Sequence, residues 1–249
     1  WVPEVHEVAM MRPLPLTLRV LKPSARLDDE LRELGFGPVT EEDDFSLQLS
    51  RLGKDDGTKR LSSSAMQELL RDTWIARGNN NSKNNNPKEY DSSEKKLGLF
   101  LSEARVTGEM MQQELTSMIP VAILAAHLKQ NRTLFTSKNA DDLRFVDLCA
   151  APGSKTCQLL SALDKITSTK NNDDNSHQSI DYTLVANELS PQRANWMRQR
   201  LHQQSCSKSL SNLIVTCADG RDYAKMDQNS FDYVLCDVPC SGDGTVRKS

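Results

Sequence analysis

From Leu143 onward, short apolar runs alternate with stretches that have helical spacing. The runs are LRFVDLCA, YTLVANE, NLIVTCAD and FDYVLCDVPC, and the helical stretches include SKTCQLLSAL and SPQRANWMRQRLHQQ. Strands without polar alternation are buried on both faces, so this pattern indicates a parallel sheet covered by helices. The sequence therefore predicts a doubly wound α/β domain, of which this chain holds an incomplete sheet of four strands.

The first part of the chain has a different pattern of apolar and polar residues. The run from Leu16 to Val20 alternates apolar and polar residues, which predicts a short strand with one polar face. Leucines at helical spacing, followed by two glycines, predict a helix in ARLDDELRELGFGP. Residues 1–75 are therefore interpreted as a small α+β region.

Two polar stretches interrupt this organisation. Residues 76–96 are rich in asparagine and are predicted to be a disordered insert, and residues 168–179 are interpreted as a second insert. Between them, TGEMMQQELTSMIPVAILAAHLK is predicted to form two helices, the second beginning near Pro120. The expected organisation is thus an N-terminal region over 1–75, an insert over 76–96 and the α/β domain over 97–249.

Charge and composition narrow the possible partners. The chain has 31 basic and 34 acidic residues, so any affinity for nucleic acid must come from a local basic patch. No run approaches the roughly 18 apolar residues of a membrane span, and no membrane partner is expected. The cysteines form no Cys-x-x-Cys and the four histidines are scattered, so we expect no metal site. The thiols are interpreted as buried or catalytic, in a reducing compartment.

Small and polar residues gather at the ends of the predicted strands, where open parallel sheets bind their ligands. After the first strand, the turn CAAPGSKT combines small side chains with a helix start whose amides can hold an anionic group. The residues expected to bind a cofactor in this loop are Cys149, Ala150, Ala151, Pro152, Gly153, Ser154 and Lys155.

Three ligands compete for this loop. A nucleotide-binding P-loop needs glycine where Cys149 and Ser154 stand, and the G-x-G-x-x-G of dinucleotide sites is absent. S-adenosylmethionine is the third candidate. Glu188, at the end of the second strand, can accept both ribose hydroxyls, and Asp219, after the third, can accept from the adenine amino group. Either acid alone could merely begin a solvent loop, but the ordered set favours this cofactor.

The fourth strand ends in Asp237 and Cys240. Asp237 is expected to lie beside the cofactor and to contribute to its binding. When its carboxyl stays protonated or gains a proton from the ring, it can bond to N3 and the exocyclic amine of a pyrimidine, and a thiolate at Cys240 can act as nucleophile or base. A plain buried cysteine is the alternative. Arg247 and Lys248 follow two glycines and are predicted to reach a phosphate, with a solvated tail as the alternative.

Together these motifs resemble the Nop/Sun family of RNA cytosine-5 methyltransferases. The resemblance rests on DLCAAPGSKTCQLL, VANELSPQRANWMRQRL, ADGRDY and FDYVLCDVPCSGDGTVRKS, within residues 97–249, and PCSGDGT is most similar to the branch that modifies transfer RNA. It implies a Rossmann-like fold and S-adenosylmethionine-dependent methylation of cytosine C5 in RNA, with transfer RNA as the substrate. RPLPLTLRV (Arg12–Val20) resembles the family's N-terminal RNA-contacting region more loosely, which implies that residues 1–75 contact RNA, and the phosphate expected at Arg247 and Lys248 is then one of RNA. It also implies a nuclear or nucleolar protein, with the cytoplasm as the alternative.

The resemblance further implies a covalent mechanism. A cysteine adds to C6 of the cytosine, Asp237 holds the ring and Cys240 assists release. The family's attacking cysteine lies in a Thr-Cys motif after the next strand; Cys217 follows a threonine but precedes Asp219 and is misplaced for this role. We therefore expect a C-terminally truncated fragment that is inactive by itself. The alternatives are an inactive RNA-binding scaffold that keeps the fold, and attack by Cys240, as the equivalent cysteine does in DNA cytosine-5 methyltransferases.

Overall fold

The fold consists of an antiparallel sheet followed along the chain by a parallel one. The structure, a computed structural model, describes residues 17–22, 24–39, 72–76, 87–114, 116–131, 142–168, 181–204, 210–226 and 229–240. Within these ranges it describes only the backbone of residues 87–94, 116 and 168.

The antiparallel sheet has four strands in the order β2-β3-β1-β4. They are β1 (Thr17–Val20), β2 (Phe36–Pro38), β3 (Thr73–Ala76) and β4 (Met110–Gln112). Two helices, α1 (Ala25–Glu33) and α2 (Pro87–Thr107), pack against it. Its core joins Leu18, Leu31, Trp74, Ala104 and Met110.

The predicted first strand and first helix are confirmed. Helix α1 begins after Ser24, whose hydroxyl accepts from the amide of Leu27 at 3.2 Å, and Gly35 follows the helix with a φ of 81°. The predicted polar face of β1 is wrong, because all four of its residues are buried. Arg19 is only 5% exposed and is covered by the second half of the molecule.

The segment before the second sheet also differs from prediction. The first of the two helices expected in TGEMMQQELTSMIPVAILAAHLK is wrong: Gly108, with a φ of 68°, ends α2, and β4 then pairs with β1. Three residues are too short a run for its period to show in the sequence. A 3₁₀ turn (Thr116–Met118) then leads into α3 (Ile119–Gln130), so the predicted start near Pro120 is confirmed.

Helix α2 overlaps the segment predicted to be a disordered insert. Residues 87–96 are helical, Ala76 ends β3, and residues 77–86 lie outside the described residues. The helix extends into this polar stretch because its later turns are anchored in the N-terminal core through Leu97, Phe100 and Leu101. The boundary predicted at residue 97 consequently falls inside α2, and the N-terminal sheet takes in residues up to Gln112.

The second sheet is parallel, with the strand order β7-β6-β5-β8. Its strands are β5 (Leu143–Asp147), β6 (Tyr182–Asn187), β7 (Leu213–Thr216) and β8 (Tyr233–Leu235). Helices α4 (Ser154–Ser168) and α5 (Pro191–Gln204) connect β5 to β6 and β6 to β7. The predicted α/β fold with an incomplete parallel sheet is therefore confirmed. Of the insert predicted over 168–179, Ser168 ends α4 and the rest lies outside the described residues.

The core of the second half lies between this sheet and helices α3 and α4. It includes Val121, Phe145, Leu160, Leu184 and Leu235. The two outer strands are more exposed than the buried pattern predicted: Ile214 in β7 is 50% exposed and Val234 in β8 is 57% exposed. Both strands lie at edges of the described sheet, where one side of each strand has no neighbouring strand.

Buried polar contacts join the two halves. The Arg19 guanidinium of β1 donates to Ser161 Oγ on α4 at 3.3 Å and approaches Cys157 Sγ at 3.5 Å. Gln113, just after β4, donates to the side chain of Gln158 on α4 at 3.0 Å. The N-terminal sheet is thus fixed directly against the first helix of the α/β half. No helix in the described ranges combines the length and apolarity needed to cross a bilayer.

Candidate functional site

The loop after β5 runs back under the end of β6 before α4 begins. The Ala150 amide donates to the carbonyl of Asn187 at 2.8 Å, and the Gly153 amide donates to the carbonyl of Ala150 at 2.7 Å. Helix α4 starts at Ser154, so the amides of its first turn face the same edge of the sheet. This edge holds the carboxyl ends of the strands, as predicted.

Asn187 ties three successive strand ends together. Its side chain is fully buried; Nδ2 donates to the carbonyl of Leu148 at 3.1 Å and to that of Ala218 at 2.9 Å. Its Oδ1 accepts from the Ala218 amide at 3.1 Å and from the Thr216 hydroxyl at 3.0 Å. One side chain therefore sets the spacing between the loop after β5, the end of β6 and the loop after β7.

Asp147 links the end of β5 to the first turn of α4, on either side of the loop 149–155. It is the last residue of β5, it is 1% exposed, and it accepts a 2.8 Å bond from the hydroxyl of Thr156 in the first turn of α4. Burial raises the pKa of Asp147 from 3.8 to about 6, although the Thr156 hydroxyl, the Cys149 amide and the Lys155 charge lower it. The bond closes the two ends of the loop on each other.

The raised pKa makes a pH-dependent contribution to stability. Between roughly pH 4 and pH 6 the folded protein holds a proton on Asp147 that the unfolded chain has lost, so raising the pH favours unfolding. Asp147→Asn removes this effect. The stability of the variant relative to the parent chain should rise by about 3 kcal/mol from pH 4 to pH 7, then level off. Urea unfolding across this range measures it, with Asp142→Asn, an exposed acid just before the same strand, as the control. A difference that does not change with pH contradicts the assignment.

Gly153 is required by packing as well as by the turn. Its φ is 96°, and a Cβ there would lie 3.1 Å from Met197 Cγ and 3.4 Å from Leu201 on α5. The sequence suggested that small residues leave room for a ligand. At Gly153 the neighbour that needs the room is helix α5.

Glu188 lies at the end of β6 with 4% of its surface exposed. Its Oε1 accepts from the Ser190 amide at 2.9 Å and pairs with Arg193 at 3.4 Å. Arg193 also donates to the carbonyl of Ala151 at 3.0 Å, which links Glu188 to the loop after β5. The predicted N-cap is confirmed: Ser190 precedes Pro191, and the Ser190 carbonyl accepts from the Ala194 amide at 2.8 Å.

Asp219 follows β7 and caps a 3₁₀ turn (Gly220–Lys225). Its carboxylate accepts from the Arg221 amide at 2.9 Å and from the Arg221 guanidinium at 2.5 to 3.1 Å. The Arg221 hydrogen bonds lower the pKa of Asp219 to about 2, so this group is an acceptor at every working pH. Gly220 lies against Leu148, which places the start of this turn beside the loop after β5.

Asp237 comes from β8 and meets the same loop. Lys155 Nζ lies 2.6 Å from its Oδ2 and also donates to Ser117 Oγ at 3.2 Å. Partial burial raises the pKa of the Cys149 thiol, and the nearby charges of Cys236, Asp147, Glu188 and Asp237 raise it further. The structure thus brings together the loop 149–155, Glu188 and Asp237, with Asp219 at one side.

The remaining predicted residues are less constrained. Cys240 is exposed. Cys217, just beyond the end of β7, is also exposed, and its thiol lies near the carbonyl of Leu189. The described cysteines are all free thiols. Arg247 and Lys248 lie outside the described residues. Among the described residues, no cluster of histidine, cysteine and acidic side chains could hold a metal ion.

Several site residues were not predicted from the sequence. Asp147 and Asn187 were visible only as polar ends of apolar runs, and Arg193 only as part of a helix. Ser117 is 38 residues from Lys155 in sequence, so no local pattern predicts their contact. The one available signal was that Asp147 and Asn187 are the polar residues that end two apolar runs; in the structure Asp147 lies opposite Ala186 and Asn187 lies one residue beyond it.

A parallel sheet with a glycine-containing turn after its first strand, and acids after the next two, is the architecture of S-adenosylmethionine-dependent methyltransferases. Residues 133–249 match the family described as 16S rRNA methyltransferase RsmB/F. The family resemblance seen in the sequence is therefore confirmed for this half of the chain.

Individual proteins agree with this assignment. The chain is 34% identical over 160 residues to a multisite-specific tRNA:(cytosine-C(5))-methyltransferase of Saccharomyces cerevisiae, covering 60% of this chain and 19% of that protein. It is 34% identical over 146 residues to the ribosomal RNA small subunit methyltransferase F of Shewanella denitrificans, covering 57% of this chain and 23% of that protein. The chain thus spans about a quarter or less of these relatives.

A solved structure supports the fold. A methyltransferase homologue from Pyrococcus horikoshii superimposes with a TM-score of 0.51 at 20% identity, covering 97% of this chain and 56% of that one.

Proposed function

We propose that this chain provides the cofactor site of an enzyme that methylates C5 of cytosine in RNA, with transfer RNA as the substrate. The observation that carries the proposal is the convergence of the loop 149–155, Glu188 and Asp237 at one edge of the parallel sheet. The similarity to the yeast transfer-RNA enzyme supports the choice of RNA and base.

The donor set suits S-adenosylmethionine. The amides at the start of α4 suit its carboxylate, Glu188 suits the ribose hydroxyls, and Asp219 suits the adenine amino group. A carboxylate has about four acceptor positions. On Glu188 the contacts from Ser190 and Arg193 both go to Oε1, which leaves Oε2 for the ribose. Asp219 already takes four contacts from Arg221, so the exposed Arg221 side chain must give up one of them to the adenine amino group. Leu189, 65% exposed directly after Glu188, offers an apolar surface for the adenine ring. When bound, this cofactor supplies an electrophilic methyl group.

In this proposal Asp237, which follows β8, holds the base. Asp237 accepts from the exocyclic amine of cytosine, while Lys155 fixes the carboxylate and Ser117 fixes the lysine. The base-binding group is therefore braced from α4 and from the turn before α3. This is the positioning that catalysis requires, because a misplacement of about 1 Å costs rate on the order of 100-fold.

In this proposal two cysteines have different roles in the covalent mechanism. The attacking thiol adds to C6 and belongs to a Thr-Cys motif outside residues 1–249, and Cys240 assists release of the product. Cys217 does not suit the attacking role, since its thiol lies beyond β7 at 3.6 Å from the Leu189 carbonyl, at the adenosine side of the proposed pocket. In this proposal residues 1–249 bind the cofactor but do not turn over alone.

The experiment offers an unmodified transfer-RNA transcript and methyl-labelled cofactor to the complete gene product. Label is expected at C5 of cytosine, and Cys240→Ala should stop turnover and let a covalent protein–RNA adduct accumulate, seen as a denaturation-resistant band. Cys217→Ala is the matched control and should form no such adduct.

Other outcomes favour the alternatives. Attack by Cys240 itself predicts that Cys240→Ala abolishes the adduct. An RNA-binding scaffold predicts that the gene product binds RNA and leaves cytosine unlabelled. The absence of cofactor binding by calorimetry would contradict the proposal at its first step.

A further inference from the structure

Helix α5 presents an exposed tryptophan between two arginines on one side. Trp196 is 59% exposed, and Arg193 and Arg200 lie three residues before it and four after it. Residues at these spacings are neighbours on a helix surface. The side of α5 that packs against the rest of the protein is formed by its buried residues, Ala194, Met197, Leu201 and Gln204. Arg198 lies on the other exposed flank of the helix by the same periodicity.

This surface is strongly basic in a chain whose net charge is −3. Helix α5 carries three arginines and no acidic residue. The affinity of such a chain for a polyanion must come from a local patch. Of the α5 arginines, Arg193 is paired with Glu188, so its charge is partly neutralised and Arg200 is the arginine beside Trp196 that remains for a polyanion.

A second helix adds charge to the patch instead of neutralising it. Burial lowers the pKa of Arg200, and the nearby charge of Arg105 on α2 lowers it further. Within the described ranges, neither guanidinium has an acidic partner at ion-pair distance; Arg200 donates only to Gln204, at 3.2 Å. Two like charges held together without an acid favour a bound anion.

The backbone fixes this pair. A Cβ on Gly108 at the end of α2 would lie 2.2 Å from the Gln203 carbonyl at the end of α5, so the two helix ends touch there. Arg105 and Arg200 each lie three residues before these contact points. Their closeness is therefore a consequence of helix packing.

The surface also connects to the cofactor site. Arg193 at the start of α5 contacts Glu188 and the carbonyl of Ala151, while Arg200 lies about 10 Å further along the helix axis, from the rise per residue. From these observations, and resting on the proposed function, we propose that the α5 surface, made of Trp196, Arg200 and Arg105, binds single-stranded RNA leading from the methylation site. Trp196 stacks on a base and the arginines contact backbone phosphates.

The test measures binding of a fluorescein-labelled, unmodified transfer-RNA transcript by the chain. Trp196→Ala should raise Kd roughly 5- to 50-fold, while Trp196→Phe, which keeps a stacking ring, should stay within about threefold of the parent. The double change Arg105→Gln with Arg200→Gln should lower the slope of log Kd against log salt by about 1.4. Arg198→Gln, a matched exposed arginine on the other flank of α5, should change Kd by less than about twofold.

Each outcome has a defined meaning. Equal losses for Arg198→Gln and the double variant, or full affinity in Trp196→Ala, overturn the inference, the latter pointing to a protein partner for the tryptophan. Calorimetry with S-adenosylmethionine runs in parallel on every variant, and cofactor affinity should not change. A chain that binds cofactor but no RNA overturns this inference alone. A chain that binds RNA through α5 but no cofactor contradicts only the proposed function.

Discussion

Replacing Asn187 with alanine is expected to cost about 3–5 kcal/mol of stability and most of the cofactor affinity. The change leaves the carbonyls of Leu148 and Ala218, the Ala218 amide and the Thr216 hydroxyl without the partner that Asn187 provides. Each buried polar group left unsatisfied costs about 1–3 kcal/mol. Partial relaxation of the loops keeps the total below the sum.

The loss of cofactor affinity follows from the loss of order. Without Asn187 the loop after β5 and the loop after β7 are no longer held together, and the cofactor must order them on binding. At about 0.5–1.5 kcal/mol for each immobilised side chain, ordering three or four of them costs about 1.5–6 kcal/mol. The Kd for S-adenosylmethionine should therefore rise roughly 10-fold or more.

The measurement combines urea unfolding with calorimetry at a temperature where the variant remains folded. Asn212→Ala is the control, because Asn212 immediately precedes β7 at the opposite end of the strand. Asn212→Ala should leave the cofactor Kd unchanged. If Asn187→Ala loses stability but binds cofactor normally, Asn187 supports the sheet and does not position the site.

The fold of the second half could be predicted because its information is local. Continuous apolar strands, a glycine turn and the Ser190-Pro191 helix start each carry their own structural preference, and all agree. The strand ends then bring Glu188, Asp219 and Asp237 to one edge, since parallel strands share their direction. Topology alone therefore places the acids that the sequence suggested.

The features that could not be predicted from the sequence depend on contacts with residues far away in the chain. Arg19 alternates with apolar neighbours as a solvent-facing residue would, yet it is buried by contacts with Cys157 and Ser161, which are about 140 positions away. Strand β4 is only three residues long and is specified by its pairing with β1. Asn187 has no distinctive local pattern, because its role is defined by Leu148 and Ala218 on other strands. Tertiary contacts override local preference at these positions.

Gly108→Ala is expected to destabilise the protein by about 2–5 kcal/mol. The position has a φ of 68°, which costs an alanine about 1–2 kcal/mol, and the new methyl would lie 2.2 Å from the Gln203 carbonyl oxygen. A backbone carbonyl cannot rotate away as a side chain can, so α2 and α5 must separate, at a further cost of about 1–3 kcal/mol.

Gly98→Ala is the matched control on the same helix. A Cβ built at Gly98 meets nothing within 4 Å beyond its chain neighbours and the backbone of its own helix, and alanine there should stabilise α2 by about 0.5–1 kcal/mol. The two glycines on one helix should thus respond with opposite signs in a urea unfolding experiment. Equal stability of Gly108→Ala and the parent chain would mean that α2 and α5 do not touch at their ends, and the closeness of Arg105 and Arg200 would lose its structural basis as well.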